Sequence, residues 1–205
     1  MKYLICTLFL FIGLSCAKIY YSPDAKSLAN RHHKIALIPP KISIAPRKKD
    51  NPVALEQQQK LESVNFQQEM YSWLLRRKMQ NKIRVEILDL ETTNAKLTNM
   101  GYPGEKALTP SELTENLGVD AVITSNFALS KPMSEGGAVA LGVLLGVWAA
   151  TNEVVATVEI HDKNKEKLIW SFNHKMSGST FSTPARLVDE LMRRASKKMP
   201  YIIEN

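Results

Sequence analysis

Cysteine is nearly absent: 205 residues hold two, Cys6 and Cys16, too few for a disulfide framework and at no spacing that suits a metal cluster. The recurrent catalytic patterns are missing as well. There is no G-x-S-x-G, no phosphate-binding loop, no G-x-G-x-x-G and no H-E-x-x-H, which removes the common hydrolase, nucleotide-binding and zinc-protease readings. No apolar run reaches the roughly 20 residues that a membrane-crossing helix needs. Charge is also missing over one long stretch, between Glu135 and Glu153. What remains is 44% hydrophobic and 23% charged, the proportions of an ordinary globular protein and not of a disordered or fibrous one.

At the N-terminus, Met1 and Lys2 lead into an apolar run from Tyr3 to Ile12, which has the form of an export signal. It ends at Gly13-Leu14-Ser15-Cys16, a sequence that resembles the lipobox of bacterial lipoproteins. That resemblance implies cleavage after residue 15 and a lipid on Cys16. Cysteine arithmetic agrees, because Cys6 leaves with the signal and Cys16 remains alone. A lone thiol is a liability in an oxidising compartment, and a thioether-linked lipid removes it. Several acyl chains anchor a protein stably where one does not. The alternative is a secreted chain with an incidental cysteine.

The net charge of +7 is unevenly spread. Lys18, Lys26, Arg31, Lys34, Lys41, Arg47, Lys48 and Lys49 face a single acid, Asp24, in residues 18–49, whereas residues 50–205 carry 18 basic and 19 acidic side chains. Basic residues next to a lipid anchor lie near phospholipid headgroups, each contributing about 1 kcal/mol at an anionic surface, so a membrane explains them better than nucleic acid. A solvated basic linker with no partner is the other reading.

Residues 17–33 show no period and read as a leash, which places the tether at 16–33 and a single domain at 34–205. Ile35–Ile38 is a strand stopped by Pro39-Pro40, and a Pro- and Lys-rich loop follows to about Pro52. Phe66, Met70, Trp73 and Leu74 share one face of a helix over about 54–80. Val85–Asp89 reads as a second strand. Thr109-Pro110-Ser111-Glu112 opens a helix through a capping box, and Gly118 ends it. A third strand covers Val119–Phe127. Val154, Ala156, Val158 and Ile160, then Leu168, Trp170 and Phe172, alternate as the two arms of a hairpin. Thr183-Pro184 starts a last helix that buries Val188, Leu191, Met192, Ala195 and Met199. The fold class is therefore α/β (α+β), with one mixed sheet, parallel early and antiparallel at the hairpin, and helices packed on it.

The uncharged stretch, with Gly136, Gly137, Leu141, Gly142, Leu145, Gly146 and Trp148, is too short to span a bilayer as a helix. Gly142 and Gly146 would share a helical face open to close backbone approach. Three readings stand: burial against the domain's own sheet, a surface for self-association or a protein partner, and a membrane-touching element. The histidines give no metal site, since His32 and His33 adjoin the leash while His161 and His174 fall on opposite faces of the hairpin. Asp89, Glu91, Asp120 and Asp162 stand at strand ends, where acids commonly serve turns and caps. No catalytic residue and no cofactor is assigned beyond the covalent lipid.

The lipobox, Lys34-Ile-Ala-Leu-Ile-Pro-Pro40, Leu117-Gly-Val-Asp-Ala-Val-Ile123 and the hairpin ending Lys167-Leu-Ile-Trp-Ser171 together resemble the periplasmic α/β lipoproteins related to the TolB N-terminal domain. That group includes the curli-secretion lipoprotein CsgG, the polysaccharide-export lipoprotein PelC and the peptidoglycan-synthase activator LpoB. The resemblance implies a non-enzymatic outer-membrane lipoprotein, often oligomeric, serving an envelope assembly or export machine through a second copy or an envelope partner. Ala17 after the cysteine fits outer-membrane sorting, with the body on the periplasmic side. No pair of long amphipathic strands of the CsgG channel kind is present. The competing class is an envelope enzyme acting on glycan or lipid, which requires a polar cleft with at least two converging titratable side chains.

Overall fold

The computed structural model describes residues 17–46, 50–104, 107–130, 152–164, 167–178 and 183–203. Seven strands form one mixed sheet: β1 (Lys18–Tyr21), β2 (Lys34–Leu37), β3 (Lys41–Ile44), β4 (Glu86–Ile87), β5 (Ala121–Leu129), β6 (Asn152–Asp162) and β7 (Lys167–Gly178). Among the described residues, five α-helices accompany them: α1 (Ala25–Ala29), α2 (Pro52–Met79), α3 (Leu90–Asn99), α4 (Pro110–Leu117) and α5 (Pro184–Ala195). The strand order is β1-β7-β6-β5-β2-β4, with β3 also on β5. β2 pairs parallel with β4 and β5, while β5-β6-β7-β1 is antiparallel throughout.

β2 carries apolar side chains on both faces. Ile35 and Leu37 join the larger core with Phe66, Met70, Trp73 and Leu74 of α2 and Leu187, Val188, Leu191 and Met192 of α5. Ala36 and Ile38 join a smaller core with Leu97 of α3 and Leu113 and Leu117 of α4. A strand buried on both sides reads as a continuous apolar run and not as an alternation, which is why Ile35–Ile38 is visible in the sequence.

Pro39-Pro40 interrupts that line without ending it. β2 lies on Ala121–Ile123 and β3 on Asn126–Leu129 of the same strand. Carbonyls at the break need other donors, and α2 provides them: Gln67 Nε2 donates to Leu37 O at 2.9 Å and Ser63 Oγ to Pro40 O at 2.6 Å. Gln67 also exchanges two 3.0 Å hydrogen bonds with Asn94, tying α2 to α3. Its burial in a long amphipathic helix thus has a defined use.

Several expectations need correction. Residues 18–33 are not a leash: β1 pairs with β7 from Lys18↔Asn173 to Tyr21↔Trp170, and α1 buries Ala25, Leu28 and Ala29. The loop expected before Pro52 contains β3. In the hairpin, Ile160 pairs with Trp170 but His161 pairs with Leu168, so Ile169 is the extra residue of a β-bulge. The bulge breaks the period of two, burying Ile169 beside Trp170 and leaving Leu168 half-buried. The strand read at Val85–Asp89 shortens to two residues, because Asp89 instead caps α3 by accepting from Thr92 N at 2.7 Å. α3, rich in Thr and Asn, was not foreseen.

The other helix boundaries follow their signals. Asn51, Thr109 and Thr183 cap α2, α4 and α5, each followed by proline, and α4 has the full capping box with Glu112. Gly118 closes α4 at φ +69, a left-handed conformation that glycine adopts without cost to a Cβ.

Phe66 and Phe127 meet at 4.5 Å between ring centroids, where α2 crosses β5, and both are fully buried. Phe66→Ala is expected to lower the unfolding free energy by about 3–5 kcal/mol, read from urea denaturation followed by circular dichroism.

Candidate functional site

One end of the sheet gathers a cluster of buried polar groups. β2, β4 and β5 begin there, β6 ends there, and the chain after α5 passes the same point. His32, just before β2, places its Nε2 2.7 Å from Asp162 Oδ2 and its Nδ1 2.6 Å from the Tyr201 hydroxyl. All three are buried, at 8%, 1% and 7% exposure. The second carboxylate oxygen of Asp162 accepts from Asn164 N at 2.7 Å in the hairpin turn. Both ring nitrogens of His32 are thereby occupied, one by the carboxylate and the other by the phenol.

Asp120, just before β5, fixes the neighbouring backbone. It accepts from His33 N at 2.7 Å and Lys34 N at 3.1 Å, and it pairs with Lys163. Burial pushes its pKa up, but the Lys163 ammonium and the two amides outweigh it and hold the carboxyl at about 2. Asp24, at the start of α1, is likewise held at about 2 by the Lys167 ammonium and then the Ser22 hydroxyl. The Tyr201 phenol moves the other way, since burial, then the charges of Asp162 and Asp120, raise it well above the ordinary tyrosine value.

A cleft of about 700 Å³ opens over this cluster, lined among others by His32, His33, Lys34, Arg84, Glu86 and Asp120. A hollow of about 500 Å³ adjoins it past Tyr201 and Lys26. Chemically, burial keeps the phenol of the cluster protonated, so it offers no nucleophilic oxygen. The cleft mixes both signs of charge, with Lys34 4.0 Å from Glu86. The arrangement locks three distant segments together: His32 is 130 residues from Asp162 and 169 from Tyr201.

Of the residues singled out by sequence, Cys16 and Gly136, Gly137, Leu141, Gly142, Leu145, Gly146 and Trp148 lie outside the described residues. Their flanks are described. β5 ends opposite the start of β6, with Leu129↔Val154, and Asn152 stands opposite Gly178. β1 runs antiparallel to β7, so its N-terminal end points the same way. The connection between Ser130 and Asn152 therefore leaves from the end of the sheet opposite the His32 cluster, whereas β1 starts midway along β7, at Asn173. His33 is exposed, His161 lies 3.3 Å from Glu159, and His174 is buried against Phe172. Among the described residues, no three His, Cys, Asp or Glu side chains are grouped to hold a metal. The acids serve turns and caps, as Asp89, Asp120 and Asp162 illustrate. Tyr201 and the buried role of His32 were missed: a single tyrosine after Pro200 has no period to mark it, and a histidine before a strand gives no sign of its burial.

No protein-family model and no curated protein matches the sequence. Among solved structures the fold is similar to that of bacterial envelope lipoproteins. They include the PelC dodecamer from Paraburkholderia phytofirmans, at 12% identity, with 93% of this chain and 99% of that chain covered and a TM-score of 0.40. Lipoprotein GNA1162 from Neisseria meningitidis aligns at 16% identity, over 81% of this chain and 96% of its own, with a TM-score of 0.47. The LpoB C-terminal domain from Salmonella enterica aligns at 10% identity, over 74% and 94%, with a TM-score of 0.35. The likeness is one of fold and assigns no residue, partner or activity.

Two tests follow from the cluster. Tyr201→Phe removes the donor to a buried imidazole nitrogen and is expected to cost about 1–3 kcal/mol of stability, measured by chemical denaturation at pH 7. For Asp120, the folded pKa of about 2 lies below the ordinary 3.8, so its stabilisation is complete above that ordinary value and is lost as pH falls through about 2. Asp120→Asn lacks this contribution at every pH. The stability gap between wild type and variant should narrow on acidification over that window, as read from thermal unfolding across a pH series.

Proposed function

We propose that this chain is an outer-membrane-anchored periplasmic lipoprotein, acylated on Cys16, that acts as a non-enzymatic binding and assembly component of an envelope export or biogenesis machine. It works as a homo-oligomer or with an envelope protein partner, through a surface that includes the apolar residues 136–150. The observation that carries the reading is the position of the fold relative to Cys16: the first strand starts at Lys18, so the lipid and the folded body form one unit.

The competing enzyme reading requires converging titratable groups in a polar cleft, and His32, Asp162 and Tyr201 do converge. Their polar atoms are committed to one another and to the hairpin turn, however, and the phenol at the outer end stays protonated. This supports a structural cluster over a glycan- or lipid-cleaving one.

In cells given radiolabelled palmitate, label is expected in the wild-type chain and not in Cys16→Ser, which should also leave the membrane fraction. No label in the wild type, or unchanged fractionation of the variant, removes the lipoprotein reading. Crosslinking in intact cells should capture a second copy or an envelope protein, and a strictly monomeric chain with no crosslinked product removes the assembly role.

A further inference from the structure

The edge strand β1 is exposed along its whole length. Ile19, Tyr20 and Tyr21 are 41%, 48% and 40% exposed, and among the described residues the other exposed large apolar side chains lie on α2. An edge strand is usually protected by charge, proline or a covering element. β1 instead presents three consecutive large side chains beside one lysine, in a protein that buries its other strands well. Tyrosine with an apolar body and a polar tip suits the boundary between lipid and water.

Chain length supplies the occupant. Lys18 is two steps along the chain from Cys16 and Tyr20 is four, and an extended chain covers at most about 3.6 Å per residue. Lys18 therefore lies within roughly 7 Å of the Cys16 backbone and Tyr20 within roughly 14 Å, while the headgroup layer on each side of a bilayer is several Å deep. Lys18 and Tyr20 project to the same side of the strand, opposite Asn173 and Ser171. The connections from Ser130 and to Asn152 leave from the sheet end toward which β1 points.

We infer that β1, with Lys18 and Tyr20 foremost, is the membrane-contacting surface of the protein, holding the folded body directly against phospholipid headgroups with β4, the opposite edge of the sheet, farthest from them. The inference rests on acylation of Cys16, and its test separates the two. Cys6 is removed with the signal and the Cys16 thiol is consumed by the lipid, so Tyr20→Cys introduces a unique free thiol for a fluorophore. Glu86→Cys, exposed on β4 at the opposite edge of the sheet, is the control, and Lys18→Cys repeats the measurement with Tyr20 intact.

Each full-length mature lipoprotein is purified with its lipid, its acylated mass is confirmed, and it is reconstituted into phosphatidylethanolamine and phosphatidylglycerol vesicles containing headgroup-nitroxide lipid. Labels at 18 and 20 should lose most of their fluorescence and the label at 86 little. With the acylated mass present, three results overturn the inference and leave the lipoprotein reading standing: no quenching at 18 and 20, equal quenching at all three sites, or label-to-label proximity at 20 that marks pairing of β1 between two copies. A mass without acyl chains overturns the lipoprotein reading, and the inference with it.

Discussion

A buried imidazole with both nitrogens occupied joins the two ends of this chain to its middle. His32 reaches the sheet only because residues 18–31 have already formed β1 and α1. Asp162 reaches it because β6 runs its full eleven residues, and Tyr201 because α5 ends where it does. A hydrogen bond of this kind adds only about 1 kcal/mol when made, but leaving a buried partner unpaired costs the whole desolvation of that group. The cluster therefore works mainly against alternatives: an N-terminal segment detached from β7 or a displaced C-terminus strands a polar atom in the core. The flanking acids reinforce this end of the sheet, Asp120 by holding the His33 and Lys34 amides and Asp24 by holding Lys167.

This arrangement changes how the N-terminal charge is understood. Lys18, Lys26, Arg31 and Lys34 were a basic tether when read by composition. In the fold they border secondary structure, and Lys26 donates to Ile202 O at 3.0 Å. They remain close to Cys16 in sequence, but they belong to a folded surface and not to an extended coil.

The elements that could be read in advance are those where one physical signal dominates. Phe66, Met70, Trp73 and Leu74 repeat at the helical step, Thr109 and Glu112 form a reciprocal cap, and Val154 to Ile160 alternate against a polar face. β1 could not be read, because a four-residue edge strand exposed on both sides has no burial pattern to impose a period. β3 was hidden behind Pro39-Pro40, since proline normally ends a central strand and the compensating donors, Ser63 and Gln67, come from a helix more than twenty residues away. α3 carries three threonines and two asparagines, whose helix propensity is poor, and it is fixed by Asp89 at its cap and Leu97 in the core. The His32 cluster joins positions 130 and 169 residues apart, a separation at which local patterns carry no information.

With Cys16 acylated, the absence of a leash bears on what the protein can meet. A chain of this length has a radius of gyration of roughly 16 Å, so its far end stands on the order of 40 Å from the headgroups. A long flexible linker would let the body search a large volume at low effective concentration. A mooring of two residues confines it to a thin layer and raises its effective concentration toward neighbours in the same membrane. Fixing the β1 edge against lipid also fixes which surfaces remain available, namely the cleft over His32 and the outer face of α2. A second copy arriving in the same membrane comes with the same surfaces at the same height, which removes much of the orientational search that limits association between free proteins. Self-association is in this sense favoured by the anchor before any contact between the copies is considered.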